Sequence, residues 1–286
     1  MQIGKPSRTA LAAASHRAAH QLLEGGRIFT DPLAVQILGE DPRTVAQDAA
    51  AHPSRRIMRL FIAVRTRFAE DALASAVEEG ARQLVVLGAG LDTFAYRSPF
   101  RERLRVFEVD HPVTQAWKRE RLAEAGITLP PWLTFAPVDF EAQKLPEGLA
   151  AAGFDPEGKT FFIWLGVVPY LTEDAIFTTL QFITSVRGGA HVVFDYSDPP
   201  DTLPPEARAY HARRAALAES LNEPWISHFE PQALHAKLHE LGFSGIEDLG
   251  PREIRARYFP NAKGPVRDRG GHVLRATSKQ SPPTRI

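Results

Sequence analysis

The sequence predicts a Rossmann-like α/β fold with a mostly parallel sheet, and three features carry this prediction. Strand-like apolar runs alternate with helical segments from Gln83 onward. The first run, Leu84–Leu87, leads into the glycine turn Gly88–Gly90, and the next two runs end on carboxylates, Asp110 and Asp139. Ligands of open α/β sheets bind beyond the carboxyl ends of the strands. The turn and the two acids therefore predict a nucleotide-type cofactor site.

The N-terminal residues 1–80 show no strand pattern and predict a helical cap beside the core. A helix is expected over residues 7–23, with Ser7 as its N-cap. A short helix should begin at Pro32, because proline suits the first helical position. A long helix should run from Ser54 to about Glu79, where apolar residues recur at helical spacing.

The alternation of strands and helices continues to the end of the core. Two further strands are predicted at 159–166 and 190–196, and two last strands at 243–249 and 272–276. A helical insertion over about 200–228 should cover the substrate. These assignments predict a core domain over residues 81–277 and a disordered tail over 278–286.

The residues that follow the glycine turn indicate the kind of cofactor. A dinucleotide site carries a third glycine in the pattern G-x-G-x-x-G, but this chain has Thr93 there, preceded by Asp92. A carboxylate at this point would repel a pyrophosphate and would suit a cation. S-adenosylmethionine carries both an ammonium and a sulfonium, so the residues favour it over NAD.

Composition excludes several other classes of protein. The chain has 286 residues, with 34 Lys and Arg against 34 Asp and Glu, and this balance argues against nucleic acid as the main partner. The lack of cysteine excludes disulfides, thiolate catalysis and cysteine-based zinc sites, and we predict no metal. The longest apolar run, Phe161–Leu171, is too short to span a bilayer, and residues 1–20 lack the apolar core of a leader. We therefore expect a cytoplasmic protein that binds no membrane; its oligomeric state is open.

Five sequence motifs together resemble the leucine carboxyl methyltransferase family. They are LGAGLDT-x-x-YR, VFEVDHP, VDF, F-x-WLGV-x-PYLT and VVFDY. The resemblance runs from about Arg8 to about Ala276 and is closer to the family's bacterial branch of S-adenosylmethionine-dependent methyltransferases. It implies a class I methyltransferase sheet, mostly parallel with an antiparallel last strand.

The resemblance also implies roles for individual residues. Arg65 would clamp the methionine carboxylate of the cofactor, although the neighbouring Arg67 is an alternative. Asp110 would bind the ribose hydroxyls. Many family members carry a glutamate where this chain has Leu165, so a backbone carbonyl or an apolar contact would have to substitute. The expected cofactor-binding residues are Arg65, Gly88, Ala89, Gly90, Asp92, Asp110, Asp139, Phe140 and Leu165.

The acceptor side is predicted at the ends of the fourth and fifth strands, where Tyr170, Asp195 and Tyr196 lie. Asp195 and Tyr196 are the candidate catalytic residues. The alternatives are a cap for Asp195, and core packing with a satisfied hydroxyl for Tyr196. No histidine of the sequence is evident beside these strand ends, and a carboxylate acceptor needs no base because it is ionised at pH 7.

We therefore predict an O-methyltransferase that acts on a carboxylate or hydroxyl of a small, polyketide-like metabolite. A non-catalytic S-adenosylmethionine-binding protein is one alternative. An NAD-dependent oxidoreductase is a less favoured one.

Overall fold

A computed structural model describes residues 7–139 and 143–278 of the chain. It confirms the predicted α/β fold, with a seven-stranded sheet in the order β3-β2-β1-β4-β5-β7-β6. The strands are β1 Gln83–Leu87, β2 Arg105–Asp110, β3 Leu133–Pro137, β4 Thr160–Trp164, β5 Ala190–Ser197, β6 Glu247–Leu249 and β7 Gly271–Thr277.

The described residues form eleven α-helices. They are α1 Arg8–Leu23, α2 Ala34–Leu38, α3 Pro42–Ala51, α4 Arg56–Glu78, α5 Phe94–Arg97, α6 Pro112–Glu124, α7 Leu145–Ala151, α8 Glu173–Thr184, α9 Pro205–Ser220, α10 Pro231–Glu240 and α11 Pro251–Tyr258. Within residues 7–139 and 143–278, no helix has the length and apolarity needed to cross a membrane.

The order of the strands places the predicted site. β1 pairs in parallel with β2 on one side and with β4 on the other, so the chain changes direction across the sheet at β1. A crevice forms beyond the carboxyl ends of the strands at such a point. β7, the last strand in the sequence, pairs antiparallel with β5, which confirms the predicted antiparallel last strand.

Side-chain alternation along β1 divides the core between the two faces of the sheet. Val85 and Leu87 belong to a cluster that includes the buried residues of α8 and α10. Leu84 and Val86 belong to a second cluster, which includes the buried apolar face of α4. The long N-terminal helix is thus packed directly on the sheet.

Several elements differ from the sequence prediction. The short helix α2 begins at Ala34, and residues 32–33 form a turn. Helices α3 and α7 were not predicted. The strand expected at 243–249 is shortened to β6, although Phe243 forms an isolated bridge with Ser278. Ser278, assigned to the tail, is thus ordered, and residues 279–286 lie outside the described part of the chain.

Candidate cofactor and acceptor site

The glycine turn follows β1 directly and has the backbone conformation that glycine favours. Gly88 and Gly90 have φ angles of 64° and 46°. A Cβ added to Gly88 would lie 2.4 Å from a methyl carbon of Val167, and one added to Gly90 would lie 2.8 Å from the Cβ of Ala10. The loop after β4 and the start of α1 therefore pack closely on the turn, and Ala89 between the two glycines is buried.

The Asp110 carboxylate at the end of β2 joins the glycine turn to α6. Its Oδ2 accepts a hydrogen bond from the Gly90 N–H at 2.6 Å, and its Oδ1 accepts from the His111 N–H at 2.7 Å. Burial raises the pKa of Asp110, and the two backbone donors offset part of that rise. The carboxylate therefore lies at the turn, where the acid of a Rossmann-type site meets ribose hydroxyls.

Asp139 follows β3 at the same edge of the sheet. β3 runs parallel to β2, with Asp110 opposite Pro137. Oδ2 of Asp139 lies 4.0 Å from Nε2 of His111. The structure therefore brings Asp110, His111 and Asp139 together, while Phe140 lies outside the described residues.

Arg65 on α4 reaches the carboxyl ends of β4 and β5. Its Nη1 donates to Oδ2 of Asp195 at 2.7 Å, and Oδ1 of Asp195 accepts from the Gly166 N–H at 2.6 Å. A Cβ on Gly166 would lie 2.7 Å from Nη2 of Arg65, so the guanidinium approaches the backbone closely. Arg65 is 9% exposed, and its Nε has no hydrogen-bond partner among the described residues.

The alternative candidate, Arg67, occupies a different environment. Its side chain is 49% exposed and pairs with Asp71 at 2.8 Å. Arg67 also lines a cleft of about 440 Å³ on the outer side of α4, with Glu247 and Arg257, and none of the predicted cofactor-binding residues lines it. Leu165, where many family members have glutamate, is partly buried and packs on the apolar cluster that contains α4.

Asp92 and its neighbours begin the short helix α5. Oδ1 of Asp92 accepts from the Phe94 N–H at 2.8 Å, as a carboxylate does at a helix start. Arg97 forms an ion pair with Glu70, and its Nε donates to the Thr93 hydroxyl at 3.1 Å. Arg97 is therefore engaged with side chains of the core.

The sequence reasoning missed a buried polar link between the glycine turn and the N-terminal helices. Nη2 of Arg17 donates to the backbone carbonyl of Leu91, and its Nε donates to Asp31 at 3.2 Å. Asp31 is 1% exposed and also accepts from the Thr93 hydroxyl at 2.7 Å. The local signal in the sequence is the pair Asp31-Pro32, which predicts a helix start.

Consecutive residues of β5 point to opposite faces of the sheet, so the structure does not bring Asp195 and Tyr196 together. Tyr196 is 2% exposed and stacks on His272, with ring centroids 4.7 Å apart. Its hydroxyl donates to Oδ2 of Asp248 at 2.5 Å. Nδ1 of His272 lies 3.1 Å from the other oxygen of Asp248, and its Nε2 lies 3.3 Å from Asp198. We call Tyr196, Asp198, Asp248 and His272 the β5–β7 network.

Tyr170 lies in a 3₁₀ turn after β4, where the segment 225–229 crosses the strand ends. The N–H of Ile226 donates to the Pro169 carbonyl at 2.7 Å, and the N–H of Phe229 donates to the Ser197 carbonyl at 3.0 Å. Burial raises the pKa of Tyr170, which lies beside Trp225 and within the field of Arg65. The segment therefore joins the acceptor ends of β4 and β5.

Two histidines that the sequence left unassigned meet at this segment. Nε2 of His211, on α9, lies 3.1 Å from Nε2 of His228. The ring of His211 also packs on Trp225, with centroids 5.2 Å apart. Burial lowers the pKa of both histidines, so the pair is neutral at pH 7. The prediction that no histidine lies near these strand ends is wrong, because the insertion folds back onto them.

Four arginines lie close enough to His16 of α1 to interact with it electrostatically, and we call Arg55, Arg59, Arg65 and Arg214 the arginine cluster. Burial lowers the pKa of His16, and the charges of Arg214, Arg59, Arg55 and Arg65 lower it further, to about 3. His16 is therefore neutral at pH 7. The cluster joins α4 to the insertion helix α9 beside α1.

The residues present fit S-adenosylmethionine on two structural grounds. The turn Gly88–Gly90 combines left-handed backbone with the Asp110 carboxylate, and Arg65 keeps a buried, unpartnered Nε–H. A carboxylate acceptor for that N–H and hydroxyl donors for Asp110 are both groups that this cofactor carries.

Comparison with known proteins agrees with this fit. A family model described as leucine carboxyl methyltransferase matches residues 10–184. The Bacillus subtilis (strain 168) protein named "Putative S-adenosyl-L-methionine-dependent methyltransferase YktD" is 32% identical over 293 residues, covering 92% of this chain and 94% of that protein. A Frankia alni protein with the same type of name, FRAAL3718, is 35% identical over 179 residues, covering 60% of this chain and 62% of that protein.

Solved structures show the same fold at low sequence identity. One from Thermobifida fusca, titled as a methyltransferase, has a TM-score of 0.51 at 18% identity and covers 97% of each chain. A DUF574 family protein from Streptomyces avermitilis has a TM-score of 0.51 at 15% identity and covers 93% of this chain and 97% of its own. With the family match and the full-length relative, the conclusion is that this chain belongs to the leucine carboxyl methyltransferase family and is an S-adenosylmethionine-dependent methyltransferase.

Proposed function

We propose that the protein methylates an oxygen of a small metabolite and that this oxygen belongs to a carboxylate, as in a polyketide-like acid. The observation that carries the proposal is that the carboxylates around Tyr170 and Arg65 are engaged and do not act as free bases. The carboxylates nearby already accept hydrogen bonds: Asp195 from Arg65 and Gly166, and Glu223 from the Thr9 N–H at 3.3 Å. Carboxylates held in this way are poor general bases, which suits an acceptor that is already ionised.

We propose the following contacts for the cofactor. Arg65 binds the methionine carboxylate through its free Nε–H, and Asp110 accepts from the ribose hydroxyls. Asp139 flanks the adenine, and Gly88–Gly90 with Asp92 surround the charged centre. Leu165 contributes an apolar contact in place of the glutamate of many family members.

In this proposal Asp195 is a positioning residue for Arg65. Both of its oxygens are engaged, and it is 4% exposed. Tyr196 is assigned to core packing, because its hydroxyl is bonded to Asp248 on the other face of the sheet. Tyr170 therefore remains the candidate that contacts the acceptor.

S-adenosylmethionine supplies a methyl group on a positively charged sulfur, a leaving group that needs no further activation. In the transfer that the bound cofactor would support, the acceptor oxygen would bond to the methyl carbon as the carbon–sulfur bond breaks, and the electron pair would stay on sulfur. A carboxylate has no proton to lose, so the side chains have only to align the acceptor. Such alignment can contribute roughly 7–11 kcal/mol to the lowering of the barrier.

A hydroxyl acceptor is the second candidate, and the His211–His228 pair favours it. A neutral imidazole can take the proton of a phenol or enol, which a carboxylate acceptor would not need. Neither Nδ1 of the pair has a hydrogen-bond partner among the described residues.

The test is turnover on matched acceptors. Aromatic and polyketide-like acids, each paired with the alcohol or phenol of the same skeleton, would be incubated with S-adenosylmethionine, and the products would be identified by mass spectrometry. The proposal predicts methyl esters. Methyl ethers would favour the second candidate, and cofactor binding without any turnover would count against both.

Two wider proposals accompany this function. We propose that residues 1–80 act as a helical cap beside the cofactor site, supported by the packing of α1 on the glycine turn. We also propose a cytoplasmic location from the sequence, which cell fractionation would test.

A further inference from the structure

Three arginines of the cluster, on α4 and α9, each carry a buried guanidinium nitrogen without a partner among the described residues. Nη1 of Arg59, Nε of Arg65 and Nε of Arg214 are buried and have no hydrogen-bond partner within residues 7–139 and 143–278. A buried donor that makes no hydrogen bond costs free energy, more so when it is charged. Three such donors in one cluster therefore indicate a ligand that supplies acceptor atoms.

The three arginines differ in how far the protein satisfies them. Arg59 is mostly engaged, because its Nε and Nη2 donate to Glu24 at 2.9 and 2.8 Å. Arg65 donates to Asp195. Arg214 forms no hydrogen bond or ion pair with a described residue, although its Nε is buried. Of the three arginines, Arg214 is thus the one that no described residue binds.

The charge of the cluster is uncompensated on the α9 side. The described carboxylates that pair with the cluster are Glu24 with Arg59, Asp195 with Arg65 and Asp48 with Arg55, and none of them pairs with Arg214. The facing groups of α1 and α9 are the neutral His16 and the phenol Tyr210, which lies beside Arg214 and the backbone of Met58. No group among these neutralises Arg214.

The cluster also adjoins the acceptor side. His211, which lies one helical turn before Arg214 on α9, packs on Trp225, and Trp225 lies beside Tyr170. Arg65 links the cluster to the ends of β4 and β5. Through Arg65 and the contact of His211 with Trp225, the cluster therefore borders the surroundings of Tyr170.

We propose that the acceptor carries an anionic group, a carboxylate or a phosphate, and that Arg214 binds this group together with the free N–H of Arg59. This inference rests on the proposed function and gives the class of its substrate. Arg65 is left for the carboxylate of the cofactor. A guanidinium presents parallel N–H groups that match both anions, which distinguishes it from a point charge.

The test uses the full chain saturated with S-adenosylhomocysteine and small aromatic probes. Benzoate, phenyl phosphate and the uncharged benzamide would be titrated by ligand-observed NMR into the wild type and into Arg214→Met, Arg214→Lys and Arg213→Met. Arg213 is the matched control, because it is the adjacent residue of α9 and is exposed. Thermal unfolding of each variant checks that it is folded.

The inference predicts that at least one anion binds to the wild type and that benzamide binds more weakly. Arg214→Met should weaken the anion about tenfold or more, since a hydrogen bond to a charged group is lost. The anion affinity of Arg214→Lys should lie between those of the wild type and Arg214→Met. The affinity of Arg213→Met should equal that of the wild type. The preferred anion distinguishes a carboxylate from a phosphate.

Two results would overturn the inference. One is binding of benzamide as strong as that of the anions, or no binding of either anion. The other is anion binding by Arg214→Met that equals the wild type. A protein that does not bind S-adenosylhomocysteine would instead contradict the cofactor site and the proposed function, so the two failures are distinguishable.

Discussion

The arginine cluster and the β5–β7 network lie on opposite faces of the same strand end and are built in opposite ways. In the cluster, three buried guanidinium atoms have no partner among the described residues. In the network, His272 contacts carboxylates on both ring nitrogens, and Tyr196 donates to Asp248. Although they are adjacent in sequence, Asp195 contacts the cluster through Arg65 and Tyr196 belongs to the network.

The difference teaches how charge that stabilises the fold is distinguished from charge that awaits a ligand. A buried ionic network is tolerated when its donors and acceptors are satisfied within the protein. Charged donors left without partners lower stability, and they are retained where a ligand completes them. We therefore expect changes in the network to alter stability and changes at the cluster and the glycine turn to alter binding.

The largest expected effect is on stability and follows from breaking the network. Asp248→Leu removes the acceptor of Tyr196 and His235 and one partner of His272. Removal of one partner of a buried charge pair costs about 3–5 kcal/mol, so the free energy of unfolding in urea should fall by that amount. The control is Asp268→Leu, whose side chain is 59% exposed and which should unfold like the wild type. Equal stability of the two variants would contradict the account.

The pH dependence of stability sharpens the same point. Burial would lower the pKa of His272, but the hydrogen bonds that His272 donates to Asp198 and Asp248 outweigh burial and raise the pKa from 6.5 to about 9. A raised pKa means that the stabilisation is complete below pH 6.5 and is lost as pH rises through about 9.

The expected loss across this window is on the order of 3 kcal/mol. It would be measured by urea unfolding of the wild type and of His272→Asn at several pH values. The variant should lack this slope whatever its overall stability. A wild type whose stability does not change between these pH values would show that His272 is not held as a cation.

The cofactor site should respond in binding rather than in stability. Asp110→Asn removes the charge at the glycine turn and should weaken S-adenosylhomocysteine about 10- to 100-fold, because hydrogen bonds to charged groups are worth about 1.5–3 kcal/mol. Asp198→Asn in the network is the matched control and should keep the affinity of the wild type. Isothermal titration would measure the affinity of both variants for S-adenosylhomocysteine. A similar loss of affinity in both would contradict the separation of the cofactor site from the network.

The smallest expected effect is the change in the protein's stability when Arg214 of the cluster is substituted. Arg214→Met breaks no hydrogen bond or ion pair with the described residues, so its free energy of unfolding should stay within about 0.5 kcal/mol of the wild type. Urea unfolding would measure it. A loss above about 1 kcal/mol would mean that Arg214 has a structural role.

Features that depend on neighbouring residues could be predicted from the sequence. The strands follow from apolar runs, and the turn after β1 follows from two glycines that adopt positive φ. The acids at the ends of β2 and β3 lie on one edge because the strands run parallel. Ser7 caps its helix as its residue type and position predict.

Features that depend on contacts between residues distant in the sequence could not be predicted from the sequence. Arg65 and Asp195 are 130 positions apart, and no local pattern relates them. To predict that Asp195 and Tyr196 have different roles, one must know which groups lie on each face of β5. To predict that His211 and His228 meet, one must know the path of the insertion. In the same way, residue type alone could not separate Arg65 from Arg67, which differ in what each touches.

That pair gives the most direct test of the central claim, which is that the cofactor binds where the strand ends meet Arg65. S-adenosylhomocysteine would be titrated calorimetrically into the wild type, Arg65→Met and Arg67→Met, with NADH as the competing ligand. The account predicts that Arg65→Met weakens binding about tenfold or more, that Arg67→Met leaves it unchanged, and that NADH does not bind. Equal affinities for the two variants, or a loss at Arg67 alone, would contradict it.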